Sequence, residues 1–202
     1  MIVVLLALAG VPAAMAQTDA GAHDVPGSWV GIGMGAGRFA LSCGGCVDQS
    51  WRGFAGSATI GWSLKSRIQL SVRVTGLFGG TEPSTSRVAS VDGTVSLYPL
   101  RRSNILLFAG AGYGRLRVAR SGAAPDTVTA SGLEWRIGAG YDVPLGNGFS
   151  VVPAVEYARI AARPATINGA PSNLSVTGET ARVSVAVDWH WAPIQWLPGR
   201  AR

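Results

Sequence analysis

Arg182-Val183-Ser184-Val185-Ala186-Val187-Asp188-Trp189-His190-Trp191 is the stretch that decides the fold. Val183, Val185, Val187, Trp189 and Trp191 fall on one side, and Arg182, Ser184, Ala186, Asp188 and His190 on the other. A period of two sends successive side chains to opposite faces of an extended strand, so one face is apolar and one largely polar. Seven earlier stretches alternate in the same way. The predicted strands are Ser28 to Phe39, Trp51 to Leu64, Ile68 to Phe78, Arg87 to Tyr98, Ile105 to Arg117, Thr127 to Val143 and Phe149 to Ile160. Pro153 lacks the N–H a ladder needs, so a bulge or irregularity is expected there.

The connections sort by length. Lys65 to Arg67, Pro99 to Asn104 and Pro144 to Gly148 are short turns after strands two, four and six. Ala40 to Ser50, Gly79 to Ser86, the segment holding Gly122 and Pro125, and Ala161 to Gly178 are longer and follow strands one, three, five and seven. An even strand number, with turns at one end and loops at the other, is the pattern of a bacterial outer-membrane barrel. In such a barrel closure satisfies every backbone donor where no water can. The expected fold is therefore all-β, an eight-stranded antiparallel up-and-down transmembrane β-barrel over residues 28–191.

Composition agrees. Of 202 residues 48% are hydrophobic and only 14% charged, against about 25% charged in a soluble domain. Aromatics gather near predicted strand ends: Trp29, Trp62, Tyr98, Tyr141, Phe149, Trp189 and Trp191 toward the short turns, and Phe39, Trp51, Phe78 and Tyr157 toward the loops. Rings favour the membrane–water boundary, so two girdles are expected. A soluble barrel or sandwich would turn its apolar face inward and would give girdles no cause.

Residues 1–16 read as a secretory signal: Ile2 to Leu8 are apolar, and Ala14-Met15-Ala16 is a small-residue cleavage site before Gln17. No Lys or Arg precedes the apolar run, which departs from the usual signal. Residues 17–27 are expected to be a flexible periplasmic lead-in and 192–202 a short periplasmic tail. The net charge is +6, carried by sixteen Arg and the single Lys65. The arginines are scattered along an exported chain, so no nucleic-acid partner is expected. Anionic head groups and lipopolysaccharide phosphates suit guanidinium groups better.

The chain resembles the small eight-stranded outer-membrane barrels, a family that includes the transmembrane domain of outer membrane protein A. The likeness runs from Gly27 to Trp191. It rests on the strand pattern, on the Gly-rich faces Gly110-Ala111-Gly112-Tyr113-Gly114 and Gly138-Ala139-Gly140-Tyr141, and on the last strand. That strand resembles the signal read by the barrel-assembly machinery, which the resemblance makes a partner during insertion. Eleven residues follow Trp191, a departure from the family's terminal signal. A monomer is expected.

Few residues suggest chemistry. Cys43-Gly44-Gly45-Cys46 is the only cysteine pair. A zinc site would need four ligands, and a thioredoxin-type motif a helix; a small disulfide in the first outer loop fits an oxidising export route. Gly31-Ile32-Gly33-Met34-Gly35 lacks the last glycine and the helix of a dinucleotide loop. In a narrow barrel glycine instead makes room for larger neighbours. Arg73, Asp92, Glu134, Arg136, Asp142, Glu156, Arg182, Asp188 and His190 fall on the inward face, where buried charges must pair. An Arg–carboxylate network plugging the lumen is expected. No cofactor, metal or catalytic residue is expected, although Ser184, Asp188 and His190 share a face and some related barrels modify lipid A. Asn173-Leu174-Ser175 matches a glycosylation acceptor by chance. The function expected is a non-enzymatic envelope or surface-interaction role through four outer loops. A narrow route for small or apolar solutes and a lipid A-modifying enzyme are the alternatives.

Overall fold

In the computed structural model the chain is described over residues 27–43, 49–65, 67–82, 84–100, 103–121 and 126–191. The expected signal peptide, most of the lead-in, Cys46 and the tail lie outside these residues. The strands are β1 (Ser28–Cys43), β2 (Gln49–Lys65), β3 (Ile68–Thr81), β4 (Ser84–Leu97), β5 (Ile105–Arg120), β6 (Asp126–Tyr141), β7 (Val143–Gly146), β8 (Phe149–Ile167), β9 (Ala170–Ser172) and β10 (Val176–Trp191). Each of β1 to β5 pairs with the next, β6 pairs with β8, β8 with β10, and β10 returns to β1. The sheet closes as an eight-stranded antiparallel barrel. The short β7 and β9 are hairpin arms on β8.

Most strands run further toward the loops than the alternation suggested. β1 continues to Cys43, β5 to Arg120 and β8 to Ile167, while β10 begins at Val176 rather than Arg182. The loops are correspondingly short. Ala161 to Gly178, expected as the longest loop, is largely strand. Asn168 and Gly169, both at positive φ, join Ile167 to Ala170 in a two-residue hairpin. Asn-Gly suits that left-handed turn because neither residue resists positive φ strongly.

Pro153 pairs with Val185 with no shift in register. On its other side the ladder lapses between Gly140/Ala154 and Val143/Val151, and there β6 gives way to β7. Pro153 thus interrupts a ladder without bulging it. Register shifts fall instead at Ser63/Lys65, Ala130/Gly132 and Pro144/Gly146.

Polarity changes along each strand. In the turn-side two thirds the outward positions are apolar: Val30, Ile32 and Met34 on β1, Leu70, Val72 and Val74 on β3, Val91 and Val95 on β4. The inward positions facing these are mostly Gly, Ser, Thr or charged, while Leu106, Phe108 and Val152 form a small buried apolar cluster with Tyr98. From Ile68 to Phe78 there are ten residue steps, which in a tilted strand cover roughly 25 Å, the height of a membrane band. Beyond it the pattern inverts. Arg38, Arg52, Arg87, Arg115 and Arg117 turn outward and are exposed. Phe39, Trp51, Val88, Leu116 and Val118 turn inward and are buried.

This inversion corrects the girdle. Phe39 and Trp51 are buried and stack at 5.6 Å inside the barrel, because outside them lies water rather than lipid. Trp29 and Tyr98 also point inward. The outward rings at the loop-side boundary are Phe54, Phe78, Tyr113, Trp135 and Tyr157, with Trp135 and Tyr157 5.5 Å apart. At the turn side they are Trp62, Tyr141, Phe149 and Trp189, and Phe149 and Trp189 stack at 6.1 Å.

Candidate functional site

The lumen is filled in layers, and each layer follows from the inward parity of its strands. In the middle Arg136 of β6 is almost fully buried. Its Nη2 lies 2.8 Å from Asp92 Oδ2 of β4 and pairs with Glu134 of its own strand. The same nitrogen donates to Ser90 Oγ at 3.0 Å and Thr75 Oγ1 at 3.3 Å. Glu156 of β8 accepts from Arg73 Nη1 at 3.1 Å and pairs with Arg182 of β10. β3 and β8 stand opposite each other in the ring, so the Arg73–Glu156 bond crosses the whole bore. Arg136 Nη1, 3.8 Å from Glu156 Oε2, joins the two groups. Three guanidinium groups therefore meet three carboxylates, which makes burial of the charge tolerable; removing one partner would strand the rest.

Hydroxyls complete the layer. Ser90 donates to Glu134 Oε1 at 3.1 Å, Thr75 and Ser90 bond at 2.7 Å, and Thr94 donates to Asp92 Oδ1 at 2.6 Å. Arg73 also lies over the Phe108 ring, 5.0 Å from its centre. Small residues create the space for these groups. A Cβ at Gly138 would overlap the Phe108 ring, and one at Gly61 would overlap the Trp29 indole.

Toward the short turns the Tyr98 hydroxyl donates to Asp142 Oδ2 at 3.0 Å. Asp188 lies against Gly31, and His190 stacks on Trp29 at 5.8 Å. A cavity of about 50 Å³, lined in part by Trp29, Gln69, Arg73, Tyr98 and Asp188, remains between these groups and the Arg layer. It has room for isolated waters. Toward the loops, Phe39, Leu41, Trp51, Leu77, Leu116 and Ile160 belong to one buried apolar cluster. That apolar plug had no counterpart in the strand-by-strand sequence reading; the signal for it was the arginine beside each inward aromatic, Arg38 with Phe39 and Arg52 with Trp51.

The nine inward residues expected from sequence are thus divided by the structure. Arg73, Asp92, Glu134, Arg136, Glu156 and Arg182 form the central layer, whereas Asp142, Asp188 and His190 lie at the turn-side end. Ser184 and His190 sit six residue steps apart on one strand, roughly 20 Å, far beyond the contact a nucleophile and its base require. Cys43 is disulfide-bonded and packs against the apolar cluster. Among the described residues no group of three or more metal-ligating side chains occurs.

A family model described as the outer membrane protein β-barrel domain matches residues 2–189. Among solved structures, Ail, the attachment invasion locus protein of Yersinia pestis, superposes with a TM-score of 0.55 at 13% identity, covering 81% of this chain and 99% of that one. Neisserial surface protein A gives 0.52 at 16% identity, over 80% of this chain and 97% of that one. OprG from Pseudomonas aeruginosa gives 0.50 at 12% identity, over 83% and 98%. At such identities the likeness is one of fold. No curated protein matches the sequence.

Proposed function

This chain belongs to the outer membrane protein β-barrel family, a resident of the bacterial outer membrane, and from that premise we propose that it is a non-enzymatic barrel acting at the cell surface. It contributes to envelope integrity or surface contact through the rim of its loop-side strands. The observation that carries this reading is the filled lumen. An ionic layer spans the bore at Arg73, Arg136 and Glu156, and an apolar plug caps it at Phe39 and Leu116. A conducting route would have to break both.

The rim is built to be rigid. Strands continue beyond the membrane band and pack around their own apolar core, and this holds the outermost residues on a fixed frame. Binding residues on loops held by such a scaffold are positioned at low entropic cost.

Planar-bilayer recording of the purified barrel is the test. No steady conductance is expected; stable single-channel steps would replace this function with transport. Mass spectrometry of lipid A from cells with and without the protein tests the enzymatic alternative. Unchanged acylation is expected, and a gained or lost acyl chain would overturn the non-enzymatic role.

A further inference from the structure

The outward arginines just beyond the loop-side aromatic boundary are not distributed evenly among acids. Arg159 of β8 faces Glu179 of β10 directly and lies 3.8 Å from it. Arg38 of β1 faces Arg52 of β2, and Arg38 donates to Ser50 Oγ at 3.2 Å. On the β4–β5 side such a pair is joined by a third arginine. Arg87 faces Arg117 across the ladder, and Arg115 follows two residues below on the same face of β5. The remaining cross-strand neighbours of these three are Phe78, Ala89, Ser131 and Thr129. Among the described residues none of the three has a carboxylate partner.

Like charges directly opposite each other on one sheet face are destabilising, and their Cβ atoms stand only about 5 Å apart. A bare Arg87–Arg117 pair is therefore a cost to the fold unless an anion lies between the two. The sequence offers no acid there, so the anion must come from outside the barrel. Val91 and Tyr113 lie below the pair and Phe78 flanks Arg87, all three exposed outward as an apolar wall. The site thus presents cations at the head-group level and an acyl-chain surface directly beneath them. Guanidinium groups bind phosphate bidentately, which an ammonium cannot do.

We propose that Arg87, Arg115 and Arg117 form a seat for a phosphate of an outer-leaflet glycolipid of the lipid A class, with its acyl chains laid along β3 to β5. The seat rests on the membrane orientation given above but not on the lumen being closed, so conductance and lipid binding can fail separately.

The test uses the folded barrel in zwitterionic micelles, titrated with bisphosphorylated lipid A, with its dephosphorylated form and with phosphatidylglycerol. Thermal midpoint and lipid retained in native mass spectrometry are the readouts. Bisphosphorylated lipid A is expected to raise the wild-type midpoint and the other two lipids to raise it little. The double variant Arg87→Gln/Arg117→Gln is expected to melt higher than wild type in bare micelles, because repulsion is relieved, and to bind lipid A at least about tenfold more weakly. Arg159→Gln is expected to bind as wild type does. Arg87→Lys/Arg117→Lys, which keeps the charge and loses the fork, is expected to fall between. Equal binding of the dephosphorylated lipid, equal binding of phosphatidylglycerol, or wild-type affinity in the double Gln variant would each overturn the proposal.

Discussion

The membrane band and the rim above it are made by the same strands and obey opposite rules. On β4, Val91 and Val95 face out while Asp92, Thr94 and Ser96 face in; a few residues up, Arg87 faces out and Val88 faces in. On β5, Tyr113 faces out with Gly114 behind it, and then Arg115 and Arg117 face out with Leu116 and Val118 behind. The period of two never slips on either strand. Only the solvent changes, from lipid to water, and side-chain polarity follows it. The barrel is inside-out where lipid surrounds it and has an ordinary apolar core where water does. The outer boundary can therefore be placed within a residue or two on each strand, between Ala36 and Arg38, Arg52 and Phe54, and Tyr113 and Arg115.

The comparison can be broken from either side. The largest loss is expected in the band, from Arg136→Ala. It strands Asp92 and Glu134 in a buried site, and such a loss typically costs about 3–5 kcal/mol. Urea unfolding of the barrel in lipid vesicles measures it; a change near zero would mean the carboxylates are solvated and the lumen is not packed. In the rim, Phe39→Ala removes a fully buried ring stacked on Trp51. About 3–5 kcal/mol is expected there too, by cavity formation rather than by unpaired charge. The two differ in rescue: adding Asp92→Asn and Glu134→Gln should recover part of the Arg136→Ala loss, because the stranded charges are removed, and none of the Phe39→Ala loss.

A charge moved along one strand sharpens the contrast. Val91→Arg puts a guanidinium into the lipid-facing band and should cost roughly 2–4 kcal/mol. Thr85→Arg, six residues away on the same outward face, should cost about 0.5 kcal/mol or less, as exposed surface changes do. Equal costs would mean that both positions see the same solvent. The smallest effect belongs to the outer hairpin. Gly169 holds φ at +83°, so Gly169→Ala should cost about 1 kcal/mol and open the hairpin locally. Faster proteolysis between Ile167 and Ala170, with global unfolding unchanged, would register it.

The strand count, the antiparallel order and the inward face were legible because period two is a local property of Val183 to Trp191 and its counterparts. The rim was legible only in part. Its segments carry Ser, Thr and Arg outward and single apolar residues inward, which resembles loop composition when parity is not followed. Phe39 and Trp51 look like girdle rings if only their place near a strand end is counted; their neighbours Arg38 and Arg52 show that the apolar face has changed sides. Asn168-Gly169 between Ile167 and Ala170 was a hairpin signal inside a segment too rich in Pro and Asn to read as strand. Which inward arginine meets which acid was not legible at all. Arg136 meets Asp92 two strands away, and Arg73 meets Glu156 across the bore, so the pairing depends on stagger around the closed ring.

The inversion of polarity along single strands is tested most directly by nitroxide scanning of the outward positions of β4 in lipid vesicles. Labels at Thr85, Arg87, Val91 and Val95 would be read for collision with oxygen, which favours lipid, and with a polar nickel chelate, which favours water. The expected result is a crossover, with nickel dominant at Thr85 and Arg87 and oxygen dominant at Val91 and Val95. A profile with no crossover, or one with Val91 and Val95 open to nickel, would contradict it.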